Sequence, residues 1–346
     1  MSMRICHIIN DVGPGFGGAE VLVDRLSLGL NSKEGIESDV YTLRDPKESK
    51  IKAGLYDFRR WISIYRNISS YDIIHSHLFP SIFMTAIYKA IQPGSKLVLT
   101  EHNTQNRRRR SALGRSLDKF IYGSADAIVC ISSGTKDEFL KCYPRFSGIT
   151  HTVYNGVNVI DAPVERRAIG TVLNLIAIGR LVEQKGFDIA IRALPILPPR
   201  SVQLTILGEG PERAALEALA SELGVSSAVR MPGYVENIGS FLGDADLAIM
   251  PSRYEGFGLA AVEAMSAGLP IIAANVSGLR EVASISFPGA ILIPPNDEAQ
   301  LAEAIMRYCE KGLRREGGMM AQNHAKRFSL DAMIDGYLHI YRNICK

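Results

Sequence analysis

LAIMPSRYEGFGLAAVEAMSA (Leu247–Ala267) reads as a strand, a loop and a helix in direct succession. Leu247–Met250 is uniformly apolar and stops at Pro251, which suits a short strand buried on both faces of a parallel sheet. Leu259–Ala267 carries Leu, Ala, Val and Met around its whole circumference, a pattern for a well-covered helix. The loop between them has two glycines, Gly256 and Gly258, where backbone comes close to a neighbour or a ligand. A buried strand feeding a helix is the βα unit of α/β folds.

The same unit recurs on both sides of it. Further strands are expected at Arg4–Ile9, Asp39–Leu43, Asp72–Ser76, Lys96–Thr100, Ala127–Ile131 and Thr150–Tyr154. In the second half they are expected at Leu173–Ile178, Gln203–Leu207, Val229–Met231, Ile271–Ala274 and Ala290–Ile293. Helix-length segments such as Ala19–Leu30, Phe187–Leu194, Glu212–Leu223 and Glu298–Glu310 separate them, which argues parallel sheets covered on both faces. The alternation restarts near residue 170, after a polar stretch at Val157–Gly170 with little periodicity. Two Rossmann-like α/β domains are therefore expected, 1–160 and 170–329. Leu330–Ile344, with Met333, Ile334, Tyr337, Leu338 and Tyr341 at helical spacing, is an amphipathic helix.

Composition narrows the class. The chain has 346 residues, 47% of them hydrophobic, enough for large cores. No apolar run approaches the roughly 18 residues of a membrane span. Met1–Asn10 lacks a signal-peptide layout, so a cytoplasmic protein is expected. The five cysteines, an odd number without a C-x-x-C pair, point to buried reduced thiols and neither a disulfide framework nor a zinc site. Net charge is +3, with 21 Lys+Arg against 17 Asp+Glu in residues 1–165 and 18 against 19 in the rest. The first half is the one expected to meet an anionic partner.

Three glycine-containing loops carry the chemistry. Gly13–Glu20 follows the first strand and opens a helix, a place where a phosphate or only a tight turn fits. It is not the spaced dinucleotide fingerprint, and no P-loop lysine follows. Gly179-Arg180-Leu181-Val182-Glu183-Gln184-Lys185-Gly186 puts two cations beside a turn, as a diphosphate grip or a solvated loop. In the third, Glu255 sits in the loop and Glu263 on a helix otherwise patterned for burial, where a carboxylate needs a partner such as a ribose hydroxyl. In the first half, His102 directly follows a strand end, where open α/β sheets place ligands. His77 is a second candidate there, and His75 reads as packing. Asp244-Ala245-Asp246 matches a metal-binding D-x-D, but it precedes its strand, at the end away from Glu255, and reads as structural.

These motifs, in this order and over nearly the whole chain, resemble the retaining glycosyltransferases of family 4, which have the GT-B fold. The resemblance rests on Glu255 and Glu263 with Phe257 and Gly258 between, on Arg180 with Lys185 in G-R-L-x-x-x-K-G, and on Gly17-Gly18. It implies two Rossmann-like domains facing across a cleft, with the terminal helix 330–346 packed back on the first. It implies that Gly17 and Gly18 approach the donor diphosphate and that Arg180 and Lys185 neutralise it as it leaves. Glu255 would orient the transferred sugar, Phe257, Gly258 and Leu259 would give backbone contacts, and Glu263 would bind the ribose. Tyr234 and Val235 would frame the base, and His102 would be catalytic. No metal or other cofactor and no nucleic acid is expected. The implied reaction is retaining transfer from a nucleotide-diphosphate sugar, UDP-sugar favoured, to a glycan or lipid-linked acceptor in bacterial cell-surface polysaccharide or glycoconjugate synthesis. A sugar-nucleotide epimerase or a non-catalytic binding protein of the same fold is the alternative.

The acceptor side is expected among Arg59, Arg60 and the run Arg107, Arg108, Arg109 and Arg110. Phe58, Trp61, Ile62 and Tyr65 would form the apolar face of an interfacial helix beside them, so peripheral contact with an anionic membrane is an expected mode of action.

Overall fold

The computed structural model describes residues 2–11, 18–44, 58–102, 106–159 and 172–346, apart from the side chains of Phe58, Arg107 and Arg110. The chain divides into two compact units, Met1–Gly156 with Leu330–Lys346 and Val157–Ser329.

The first unit is a six-stranded sheet of β1 (Met3–Ile9), β2 (Ile36–Thr42), β3 (Ile73–His77), β4 (Lys96–Glu101), β5 (Ala127–Cys130) and β6 (Thr150–Thr152). Its order is β2-β1-β3-β4-β5-β6, with every neighbouring pair parallel. The second unit repeats the plan with β7 (Leu173–Ile178), β8 (Val202–Leu207), β9 (Val229–Gly233), β10 (Leu247–Met250), β11 (Ile271–Ala274) and β12 (Ala290–Ile293). Its order is β12-β11-β10-β7-β8-β9, again parallel. Building reverses direction between β1 and β3 in one sheet and between β7 and β10 in the other. At such a switch point the loops leaving adjacent strands diverge to opposite faces and leave a crevice at the strands' carboxyl ends.

In the first unit, one sheet face buries Cys6, Ile8, Ile74, Leu97, Leu99 and Ile128 against Tyr122, Phe139 and the helix Phe58–Ile68. The other face mixes apolar residues such as Ile5, Ile73, Val98 and Val129 with His75 and Thr100, and the helix Leu330–Ile344 packs on its polar part: Tyr341 and Tyr337 lie fully buried against His75 and Thr100. In the second unit, Leu175, Ala177, Leu204, Ile206, Leu247 and Ile249 form the sheet side of a core capped by Phe187, Ile191 and Ile305.

Three expectations are corrected here. The helix Phe58–Ile68 turns Trp61, Ile64 and Ile68 into the core, and of its large apolar side chains Ile62 is exposed. Of the expected interfacial face, Trp61 is therefore buried in the core, Tyr65 is half-buried and Ile62 is exposed, so these three do not form one continuous exposed apolar face. The arginine run, expected on the acceptor side, is in part engaged by the protein itself. It forms a 3-10 turn, Arg107–Arg110, in which Arg108 pairs with fully buried Asp118 at 2.8 Å and Arg109 with buried Glu101 at 2.7 Å. Of the five cysteines, all free, Cys6 and Cys130 are buried, whereas Cys142, Cys309 and Cys345 are exposed. No helix among the described residues is long and apolar enough to cross a membrane.

Candidate functional site

The loops after β7 and β10 flank the switch point of the second sheet and are stitched to each other. Arg253 in the β10 loop donates from its backbone N–H to the Gln184 carbonyl at 2.8 Å. Its guanidinium grips both oxygens of Asp188 at 2.8 and 2.7 Å and donates to the Glu183 carbonyl at 2.7 Å. Gln184 returns a bond from its side-chain amide to the Tyr254 carbonyl at 3.0 Å. Burial raises the Asp188 pKa, but the Arg253 bonds and charge outweigh it and hold the carboxyl below its ordinary range.

That frame brings Lys185 and Glu255 together. Lys185 Nζ stands 2.5 Å from Glu255 Oε2, with the side chains 21% and 15% exposed. In this partly desolvated pair each charge offsets the field of the other. Gly186, directly after Lys185, adopts φ +64° and lies so close to the Pro251 carbonyl that a Cβ would fall 2.1 Å from that oxygen. Arg180 in the same loop is exposed, and no ion pair involves it among the described residues.

The glycine after Phe257 has an equally specific reason. Gly258 sits at φ +103° as the residue preceding the helix Leu259–Ser266. That left-handed turn swings the chain into the helix, whose first N–H groups have no partner within the helix itself. Phe257 is buried edge-on against Phe328, ring centroids 5.5 Å apart. Glu263 is half-buried on the same helix. On the other side of β7, the β8 loop joins the Lys185 loop through Leu181 N–H to Glu209 C=O at 2.9 Å. Tyr234, just past β9, is 57% exposed, with Val235 beside it half-buried. Asp246 accepts from the Asn174 backbone N–H at 2.8 Å at the opposite end of β10, a structural role as its position suggested.

In the first unit the motif glycine Gly17 lies outside the described residues, and Gly18 opens the helix Gly18–Asn31. His102 follows β4 and is buried, its Nε2 3.2 Å from Nδ1 of His77. His77 Nε2 is in turn 3.2 Å from His7 Nδ1. Burial lowers the His102 pKa to about 4 and that of His7 to about 3, and lowers those of His75 and His77 as well, so these rings are neutral at pH 7. His77 is enclosed among neighbouring rings, and His75 packs as expected, between Tyr341 and Thr100. His7, Arg253 and Asp188 were not singled out from sequence. Arg253 stood within a recognised loop, and nothing in its spacing marked it as the clamp.

The model of the glycosyl transferases group 1 matches residues 166–327, and the model of glycosyltransferase family 4 matches residues 16–160. An uncharacterised glycosyltransferase of Methanocaldococcus jannaschii is 30% identical over 253 residues, 67% of this chain and 65% of that protein. A D-inositol 3-phosphate glycosyltransferase of Acidothermus cellulolyticus is 31% identical over 304 residues, 79% of this chain and 67% of the relative. The chain thus spans about two thirds of the length of these curated relatives. Among solved structures, Anabaena HepE in complex with UDP superposes with a TM-score of 0.82 at 19% identity, covering 99% of this chain and 100% of the other.

Proposed function

The chain belongs to the family 4 glycosyltransferases with the GT-B fold, and we propose that it moves a sugar, with retention of configuration, from a UDP-sugar to a glycan or lipid-linked acceptor. The observation that carries this reading is the Lys185–Glu255 pair, held at the switch point of the second sheet by the Arg253 clamp. UDP is favoured as the nucleotide because a protein of the same fold, HepE, has been solved with it.

In this reading the donor's diphosphate lies over the start of the helix Leu259–Ser266, met by the backbone of Gly258 and Leu259, by Lys185 and by the exposed Arg180. Glu263 holds the ribose, and the base stacks near Tyr234 and Val235. Glu255 accepts from hydroxyls of the transferred sugar. In the first unit, the residues assigned to substrate binding are His102 and Gly17-Gly18. As the bond to the anomeric carbon breaks, charge builds on the leaving phosphate, and fixed cations and N–H dipoles stabilise it without a metal. The acceptor hydroxyl enters from the same face, its proton passing to the leaving phosphate. No glycosidase-like carboxylate pair is invoked, so no covalent sugar intermediate is assigned.

The place of action proposed is the cytoplasm, in synthesis of cell-surface polysaccharide or glycoconjugate. For Arg59 and Arg60 we keep a contact with an anionic membrane or acceptor, tested by flotation with anionic and neutral vesicles at two salt concentrations. A thermal-shift panel of nucleotide sugars tests the whole reading. A ligand at 100 times its Kd adds about 2.7 kcal/mol to the folded state. The expected result is a shift with UDP and a larger one with a single UDP-sugar. A panel in which no nucleotide or nucleotide sugar raises the melting temperature would overturn the proposal.

A further inference from the structure

Three histidines from three adjacent strands form one chain of rings in the first unit. His7 lies on β1, His77 ends β3, and His102 follows β4, so the chain crosses the sheet at the carboxyl ends of its strands. Its links are His7 Nδ1 to His77 Nε2 and His77 Nδ1 to His102 Nε2, each 3.2 Å. Each neutral imidazole carries one N–H and one lone pair, so the two links admit only two consistent proton arrangements. In one, every ring holds its proton on Nε2, and His7 ends the chain with a bare N–H. In the other, every ring holds it on Nδ1, and His7 ends the chain with a bare lone pair.

The end of the chain decides between them. His7 Nε2 is buried and has no hydrogen-bond partner among the described residues. Orphaned buried N–H groups are the rarer defect in proteins, whereas an under-used acceptor is met more often. The lone pair therefore belongs on His7 Nε2, and every proton in the chain sits on Nδ1. We propose that His7 and His77 are positioning residues that lock His102 in its Nδ1–H form, so that His102 offers its reacting partner a hydrogen-bond donor and not a base. This rests on the reading of His102 as part of the site proposed above. That the rings are neutral, as burial dictates, is what makes the proton count definite.

A metal ion shared by His7, His75 and His77 is the competing use of the same rings, whose ligand atoms lie within 4.8 Å of one another. It is disfavoured because both nitrogens of His75 are already engaged, Nδ1 with Tyr341 and Nε2 with Thr100, each at 2.6 Å.

The test is a long-range 1H–15N correlation spectrum of the full-length chain labelled in histidine, with each ring assigned by single substitution. Pyrrole-type nitrogen at Nδ1 of His7, His77 and His102 is the expected result. Pyrrole-type nitrogen at Nε2 of His102 overturns the proposal. His77→Asn places an amide donor where Nδ1–H stood and should keep the His102 pattern. His77→Gln reaches towards His7 instead and should let His102 drift to its Nε2–H form. If both variants leave His102 unchanged, His77 does not set its tautomer. One equivalent of zinc retained after dialysis with Zn2+, and lost in His75→Ala, also overturns it. These spectra need no donor or acceptor, so they stand even if the glycosyl-transfer reading fails. Where turnover is measured, His102→Asn, which keeps a donor at the Nδ1 position, should exceed His102→Gln in kcat by about tenfold. The reverse order would place the working nitrogen of His102 at Nε2 and overturn the proposal.

Discussion

Gly186→Ala should do much more damage than its one added methyl suggests. The φ of +64° at this position costs an L-residue roughly 1 kcal/mol. The new Cβ would stand 2.1 Å from the Pro251 oxygen and 3.0 Å from its carbonyl carbon. Backbone cannot rotate away as a side-chain tip does, so the β7 and β10 loops must part by about 1 Å to restore a normal contact. Parting them strains the Arg253 N–H bond to Gln184 and the Gln184 bond to the Tyr254 carbonyl, each worth about 1 kcal/mol. The expected loss is about 3 kcal/mol of stability in the second unit. Because Lys185 is the preceding residue, turnover should fall by about 100-fold, the usual consequence of a 1 Å misplacement. Gly224→Ala is the control. Its φ of +68° is nearly the same, but a Cβ there meets nothing within 4 Å, so it should cost only the backbone strain of roughly 1 kcal/mol. Denaturant unfolding followed by circular dichroism measures both variants. The single tryptophan, Trp61, lies in the first unit, and its fluorescence transition should stay in place. Equal midpoints for the two variants would refute the claim that Gly186 exists to let these loops touch.

Glu263→Ala should weaken donor binding and Glu255→Ala mainly lower kcat. Each loses a charge-assisted bond of about 1.5–3 kcal/mol, so wild-type kinetics in both would dismiss the site assignment. Activity should survive EDTA, since Arg180 and Lys185 are assigned the charge stabilisation. Inhibition by EDTA that Mn2+ or Mg2+ reverses would show a metal to be needed. Arg109→Gln should destabilise the first unit by about 3–5 kcal/mol, read from Trp61 fluorescence, because it strips a buried ion pair of one partner. A variant as stable as wild type would return Arg109 to the surface. The Asp188 carboxyl, held below its ordinary range by Arg253, contributes stability that is present above its unfolded pKa near 4 and fades as pH falls through and below that value. Urea midpoints at pH 7 and pH 3 should therefore differ less in Arg253→Gln than in wild type, and an unchanged difference would refute the coupling.

Much of the fold was legible because its strands are short apolar runs buried on both faces. β7, β10, β11 and β12 have the ends expected from sequence, each bounded by a glycine, a proline or a polar turn. β2 was placed three residues late, and the reason is its place at the sheet edge. Its burial alternates from Ile36, with Glu37 and Asp39 facing solvent, so its first half does not look like a central strand. The helix Phe58–Ile68 shows the converse limit. An apolar stripe flanked by arginines has the same sequence whether a sheet or a lipid surface covers it. Only the neighbours decide, and here they are Trp61's core partners.

The candidate site was legible one loop at a time. Glycines mark where backbone crowds, so G-R-L-V-E-Q-K-G and the Glu255 loop each announced themselves. What joins them did not: Arg253 and Asp188 are 65 positions apart, and either alone is an ordinary surface charge. The pairing of Arg108 and Arg109 was hidden for the same reason, since their partners Asp118 and Glu101 belong to other elements. Sequence spacing reports which face of its own element a side chain occupies, and charge pairing is a property of two elements. The histidines carry this furthest. The i, i+2 spacing of His75 and His77 places both on one face of β3. Yet their rings have different fates, since His75 lies against Tyr341 from the last helix and His77 between rings from β1 and the end of β4. A neutral imidazole takes its tautomer from what its neighbours donate and accept. The chemistry open to His102 is therefore fixed by residues on strands up to 95 positions away, and it became readable only once the sheet had set those strands side by side.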